Sequence, residues 1–163
     1  MAKKELQRTD LISSTNPKSA AAEAYRTLRT NIGFASLDEP CISMLVTSAG
    51  PGDGKSTTTS NLAVVMAQAG HKVILVDCDM RKPMQHKIFG VENGRGLANC
   101  LLQNLSPEEV AHHDLIENLT LLTSGPIPPN PAEILATERV RQLWDYLREK
   151  YDYLIIDSPP ILA

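Results

Sequence analysis

The stretch AGPGDGKST, residues 49–57, joins three glycines, a lysine and adjacent hydroxyls in an order suited to holding phosphate oxygens. Gly50, Gly52 and Gly54 open backbone conformations closed to other residues, so that successive N–H groups, with Pro51 and Asp53 between them, can turn inward onto an anion. Lys55 brings a full positive charge to the outer phosphates of a nucleotide such as ATP or ADP. The Ser56 hydroxyl, followed by Thr57, is placed to ligate Mg2+. A helix beginning here would add the positive end of its dipole. The loop departs from the usual pattern only at its first position, where Ala49 stands for glycine.

Two acidic segments supply complementary chemistry. In ILVDCDMR, residues 74–81, Asp77 and Asp79 sit two apart where an apolar run ends. Alternation in an extended chain predicts that both face the phosphate loop, and two neighbouring carboxylates repel unless a cation lies beside them. In LIIDSPP, residues 154–160, an apolar run delivers Asp157, the pattern of a Walker B carboxylate that holds magnesium directly or through water. A fourth cluster, Glu23, Arg26 and Arg29, has a spacing of three that places it along one helix face. By physics alone this is a solvated charged face, whose Glu23–Arg26 pair contributes only a few tenths of a kcal/mol.

The elements that must carry these residues follow from the apolar patterning. Strands are expected over 41–48, 72–76, 118–123 and 153–156, and helices over 19–34, 56–69, 97–102 and 131–150. Continuous apolar strands alternating with helices predict an α/β fold, a parallel sheet covered by helices on both faces. In such sheets ligands sit at the carboxyl ends of the strands, where all three chemically marked segments fall. Residues 1–16 are polar and aperiodic and read as a mobile arm, with one domain over 17–163. The run GPIPPNP at 125–131 reads as a stiff connector.

Composition narrows the classes. With a net charge of -3, the 163-residue chain has no basic character to support a nucleic-acid partner. Cys41, Cys78 and Cys100 are odd in number and widely spaced, suggesting neither disulfides nor zinc, and fit a reducing cytoplasm. The four histidines show no ligand spacing. The apolar runs are too short to span a membrane, so membrane association is expected to come through a partner.

With these segments in hand, the chain resembles the bacterial tyrosine kinases of capsule and exopolysaccharide synthesis. Their nucleotide motifs are matched at 49–57, 74–81 and 154–160, their ring-forming oligomerisation signature at Glu23, Arg26 and Arg29, and their GPxPPNP segment at 125–131. The resemblance implies a P-loop fold and ATP-dependent phosphorylation of protein tyrosines. It further implies Asp77 as the group that accepts the tyrosine proton, or a share of the metal, and Ser56, Asp79 and Asp157 around magnesium. A cytoplasmic site at the inner face of the membrane, activation by the tail of a membrane adaptor, and self-association into a ring are implied as well. The family continues past its third nucleotide motif into further strands and a C-terminal tyrosine cluster, so the expectation is a kinase domain truncated after that motif. The alternative is an ATP-switched oligomerising ATPase of the partition and division-site type. Those proteins carry a signature lysine early in the loop, where this chain has Gly50.

Overall fold

The computed structural model describes residues 10–162. In chain order the elements are α1 (Ile12–Thr15), α2 (Ala20–Ala35), β1 (Ser43–Val46), α3 (Lys55–Gln68), β2 (Val73–Asp77), α4 (Gln85–Phe89), α5 (Leu97–Gln103), α6 (Pro107–Val110), β3 (His112–Ile116), β4 (Leu119–Leu122), α7 (Pro131–Leu135), α8 (Glu138–Lys150) and β5 (Tyr153–Asp157). Among these residues five strands form one sheet in the order β1-β5-β2-β4-β3. β1, β5, β2 and β4 are parallel, as the apolar runs predict, and β3 pairs antiparallel with β4 at the edge.

The two faces of the sheet build two cores. Ile74 and Val76 of β2 join Leu154 and Ile156 of β5 against Leu97, Leu101, Leu143 and Leu147 of the helices on one side. Val73 and Leu75, with Leu121 and Ile155, meet Leu62, Val65 and Met66 of α3 on the other. Because both faces are covered, β2 is buried at every position, which is why its sequence is apolar without alternation. The apolar helix α3 is buried from Thr59 to Ala67 and closes at Gly70, whose φ of 91 suits a glycine.

Two expectations are corrected, and one strand is added. Residues 10–16 are not a mobile arm: Leu11 is 3% exposed, the Asn61 amide donates to Asp10 O at 2.6 Å and its Oδ1 accepts from Ser13 N at 2.9 Å. Asn61 and Gln68 of α3 offer these backbone groups partners that a polar, aperiodic run does not announce, and Gln68 donates to Ser13 O. The remainder of the expected arm, residues 1–9, lies outside the described residues. The helix expected over 131–150 is two helices, because Thr137 is extended (φ -80, ψ 156) and its hydroxyl donates to Ile134 O at 2.8 Å, ending α7 before α8 begins. β3 was not expected, since HHDLI is polar; it turns into β4 through Asn118, which takes the left-handed φ of 64 that asparagine tolerates.

If Leu11 anchors residues 10–16 to α3, Leu11→Ala should lower the unfolding free energy by about 2 kcal/mol, the lower end for a buried leucine. Urea denaturation checks this, and a change under about 0.5 kcal/mol, the size of an ordinary surface substitution, would return the segment to the status of an arm.

Candidate nucleotide site

The ends of β1, β2 and β5 converge at one edge of the sheet. After β1 the chain enters the glycine loop, where Gly52 and Gly54 have φ of 84 and 81 and so require glycine. The loop braces itself. The Ser48 hydroxyl donates to Gly50 O at 2.8 Å, and Gly50 N–H donates to Asp53 Oδ2 at 2.8 Å, so Asp53 shapes the turn with its carboxylate. α3 then opens at Lys55, carrying Ser56 and Thr57 in its first turn.

Lys55 is the centre of the site. Its Nζ lies 3.1 Å from Asp79 Oδ2 and 3.5 Å from Asp157 Oδ1, and it donates to Ser56 Oγ at 3.3 Å. The register of β2 on β5 places Asp77 beside Asp157, and both are wholly buried. A pocket of ≈ 620 Å³ opens over this cluster, lined among others by Gly52, Lys55, Ser56, Thr57, Asp79 and Pro159. Of the residues expected around a nucleotide, Pro51, Gly52, Gly54, Lys55, Ser56, Thr57 and Asp79 line the pocket, Gly50 and Asp53 do not, and Asp157 contacts Lys55.

Asp77 differs from the expectation that it faces the loop as Asp79 does. The rule of alternation holds only while the chain stays extended, and β2 ends at Asp77. Asp77 therefore turns inward: its Oδ1 accepts from Asp79 N–H at 3.1 Å, and its Oδ2 accepts from Met84 and Gln85 N–H at 3.0 Å each. Burial raises its carboxyl to about 7, aided by the nearby Asp157 charge and opposed by these backbone donors.

Gln85 is the residue that sequence reading missed. Wholly buried, it accepts from Ser60 Oγ at 2.7 Å and donates from Nε2 to Asp157 Oδ2 at 2.8 Å and to Ser56 O at 3.1 Å. One side-chain amide thereby ties the start of α3 to the end of β5, while its backbone N–H ties the same spot to the end of β2. No motif marks it, because its partners are brought to it only by folding.

The donor set fits magnesium. Asp157 Oδ1 is buried without a hydrogen-bond partner, and Ser56 Oγ and the Asp79 carboxylate are the kind of hard oxygen donors that such an ion takes. Among the described residues no group of three or more His, Cys, Asp or Glu could hold a metal ion by itself.

The Glu23, Arg26, Arg29 cluster lies on α2, away from this edge. Arg26 pairs with Glu23 at 2.7 Å and donates to Pro17 O, whereas Arg29 reaches inward and donates to Val65 O of α3 at 2.8 Å. One of the three thus helps to seat the helix on its own subunit.

Two substitutions test this geometry. Lys55→Met keeps the apolar stem and removes the charge, so Mg-ADP affinity should fall roughly 100-fold, the size of a charge-assisted contact. Calorimetry reads it, and affinity within threefold of wild type would remove Lys55 from the centre of the site. Gln85→Leu leaves Asp157 Oδ2 without its amide donor in a buried place, at a cost of about 1–3 kcal/mol in urea unfolding, together with weaker magnesium dependence of nucleotide binding. Unchanged values on both measurements would make the amide incidental.

Comparison with known proteins agrees with the geometry. The AAA domain family matches residues 42–163. Tyrosine-protein kinase YwqD of Bacillus subtilis (strain 168) is 51% identical over 154 residues, covering 94% of this chain and 65% of that protein. CapB of Staphylococcus aureus is 40% identical over 161 residues, covering 99% of this chain and 71% of that one. The solved kinase domain of Escherichia coli tyrosine kinase ETK superposes with a TM-score of 0.89 at 37% identity, covering 94% of this chain and 60% of that chain. A more distant likeness, with a TM-score of 0.64 and 26% identity, covering 76% of this chain and 51% of that chain, is to the septum site-determining protein MinD of Pyrococcus horikoshii OT3, solved with Mg-ADP. This chain spans slightly less than two thirds of YwqD, and the AAA domain match over residues 42–163 spans the positions of the glycine loop, Asp77, Asp79 and Asp157. By sequence and by fold, the chain belongs to the family of bacterial tyrosine-protein kinases.

Proposed function

We propose that this domain transfers the terminal phosphoryl group of ATP to protein tyrosines, in the autophosphorylating manner of its family, and so regulates capsular or exopolysaccharide synthesis and export. The observation that carries the reading is the convergence of Lys55, Asp79 and Asp157 within 3.5 Å at the mouth of the glycine loop, in a chain related to tyrosine kinases. Phosphoryl transfer needs positioning and charge neutralisation more than covalent chemistry, and these residues provide both.

In this reading the loop N–H groups and Lys55 hold the phosphates, with Ser56, Asp79 and Asp157 as the magnesium ligands. The metal would neutralise charge on the phosphate oxygens. Lys55 exchanges its carboxylate partners for phosphate as the nucleotide enters. The phenol oxygen of the tyrosine bonds to the terminal phosphorus as the bond to the β-phosphate oxygen breaks, and the phenol proton passes to a carboxylate. Asp77 is the proton acceptor of choice, because burial raises the pKa of its carboxyl to about 7, where it binds a proton more readily than an ordinary carboxylate. It can act only if the loop that carries Asp79 to Met84 moves aside. The division-site reading is less well supported, since Gly50 stands at the position of its signature lysine and the likeness to MinD is lower.

The cluster of Glu23, Arg26 and Arg29 is assigned to contacts between subunits of a ring, on the cytoplasmic side of the membrane and beneath an adaptor whose tail activates the kinase. Incubation with ATP, magnesium and such a tail peptide, followed by blotting for phosphotyrosine, tests the activity on an added tyrosine substrate. Nucleotide binding and oligomerisation with no phosphotyrosine on any substrate would favour the switch ATPase. Replacing Glu23, Arg26 and Arg29 together by Ala should leave a folded, ADP-binding monomer in light scattering. An assembly of unchanged mass would return the cluster to a charged face that seats α2 through Arg29.

A further inference from the structure

Beside the nucleotide pocket lies a second depression of ≈ 590 Å³, and the two share Arg81, Lys82 and Met84 as lining. The two therefore adjoin across the segment that carries these three residues. Lys87 and Lys82 stand on its walls, and no Asp or Glu is among its described lining residues. That runs against the chain as a whole, whose net charge is -3. Its surface is also apolar in places: Ile127 is 61% exposed and Met84 38% exposed.

Both walls are built rather than loosely draped. On the near side Asp79 Oδ1 accepts from Lys82 N–H at 3.0 Å and Asp77 Oδ2 accepts from Met84 N–H at 3.0 Å, so the carboxylates at the end of β2 also set this rim. On the far side the Asn93 side chain donates to Gly125 O at 3.0 Å and accepts from Gly125 N–H at 2.9 Å. Gly125 has φ of 75, and a Cβ there would stand 2.9 Å from Gly96 N, so this wall has little room to shift.

We propose that this groove binds an acidic polypeptide segment flanking the acceptor tyrosine, a specificity that rests on the kinase reading of the adjoining pocket. Carboxylates of the segment pair with Lys82 and Lys87, and the tyrosine ring lies against Met84 with its hydroxyl directed into the nucleotide pocket. A peptide fits better than a membrane surface, because the cations line a concavity beside the site, which an extended chain can enter and a flat bilayer cannot. The lysines would act mainly by lowering the KM for peptide, through contacts that salt screens.

Fluorescence anisotropy of two labelled peptides on the Mg-ADP-loaded chain tests the groove without requiring turnover. One peptide carries a tyrosine flanked by glutamates and the other a tyrosine flanked by lysines. The glutamate peptide should bind roughly tenfold tighter at low salt, with the gap narrowing as salt rises. Lys87→Glu, which leaves the nucleotide pocket untouched, should weaken the glutamate peptide roughly three- to tenfold, strengthen the lysine peptide, and leave ADP affinity as it was. Equal affinity for the two peptides, or an acidic preference that survives Lys87→Glu, overturns the proposal. So does Lys87-dependent capture of phosphatidylserine vesicles with no Lys87-dependent binding of either peptide. A parallel phosphotransfer assay with ATP, magnesium and the adaptor tail peptide present separates the two readings. Acidic preference in binding with phosphate passed to neither peptide overturns the kinase reading and leaves the groove standing. Transfer indifferent to peptide charge overturns the groove and leaves the kinase.

Discussion

Three carboxylates buried at one edge of the sheet, with a single lysine among them, are the constraint from which the rest of this structure follows. Asp77, Asp79 and Asp157 are 0%, 4% and 0% exposed, and charges so far from water are costly unless matched. Lys55 matches two of them. Asp77 is left to backbone N–H groups, and burial outweighs those donors, so its carboxyl rises towards neutrality. The arrangement stands ready for a cation and for phosphate: a metal would take over the neutralisation of Asp79 and Asp157, and Lys55 would be released to the anion. Stability and nucleotide binding draw on the same charges.

That cluster can be held in place only because the elements beneath it are buried on every side. β2 and β5 lie in the middle of the sheet, with Ile74 and Ile156 in one core and Val73 and Ile155 in the other. α3 is enclosed between the sheet, α2 and residues 10–16, so its first turn presents Lys55 and Ser56 from a rigid base. Gln85 then joins α3 to β5 through one amide, and its hydrogen bond to Asp157 Oδ2 leaves Oδ1 as the oxygen facing Lys55 Nζ. Regions that look structural, including the segment before α2, thereby contribute to the precision of the site.

The same carboxylates also shape what lies outside the pocket. Asp77 and Asp79 collect the N–H groups of residues 79, 82, 84 and 85, and so fold the loop that separates the nucleotide pocket from the cationic groove. The backbone positions of Lys82 and Met84 are thereby set by Asp79 and Asp77.

Much of this was legible in the amino-acid sequence, because the information was local. The glycine loop is written in adjacent residues whose backbone needs exclude most alternatives, and the apolar runs of β2 and β5 declare strands covered on both faces. Lys55, Asp79 and Asp157 could be placed together on motif and strand-end position alone. Other features depend on partners distant in sequence. Gln85 is an ordinary polar residue until folding brings Ser60 and Asp157 to it, and the docking of residues 10–16 depends on amides some fifty positions away. Alternation suggested that Asp77 faced the phosphate loop with Asp79, but the chain bends where β2 ends, and only the tertiary structure decided that one carboxylate turns to the pocket and the other to the backbone. A sequence specifies what each segment can do by itself; which buried polar groups satisfy one another is settled only when the segments meet, because each such group must find its partner in that one packing.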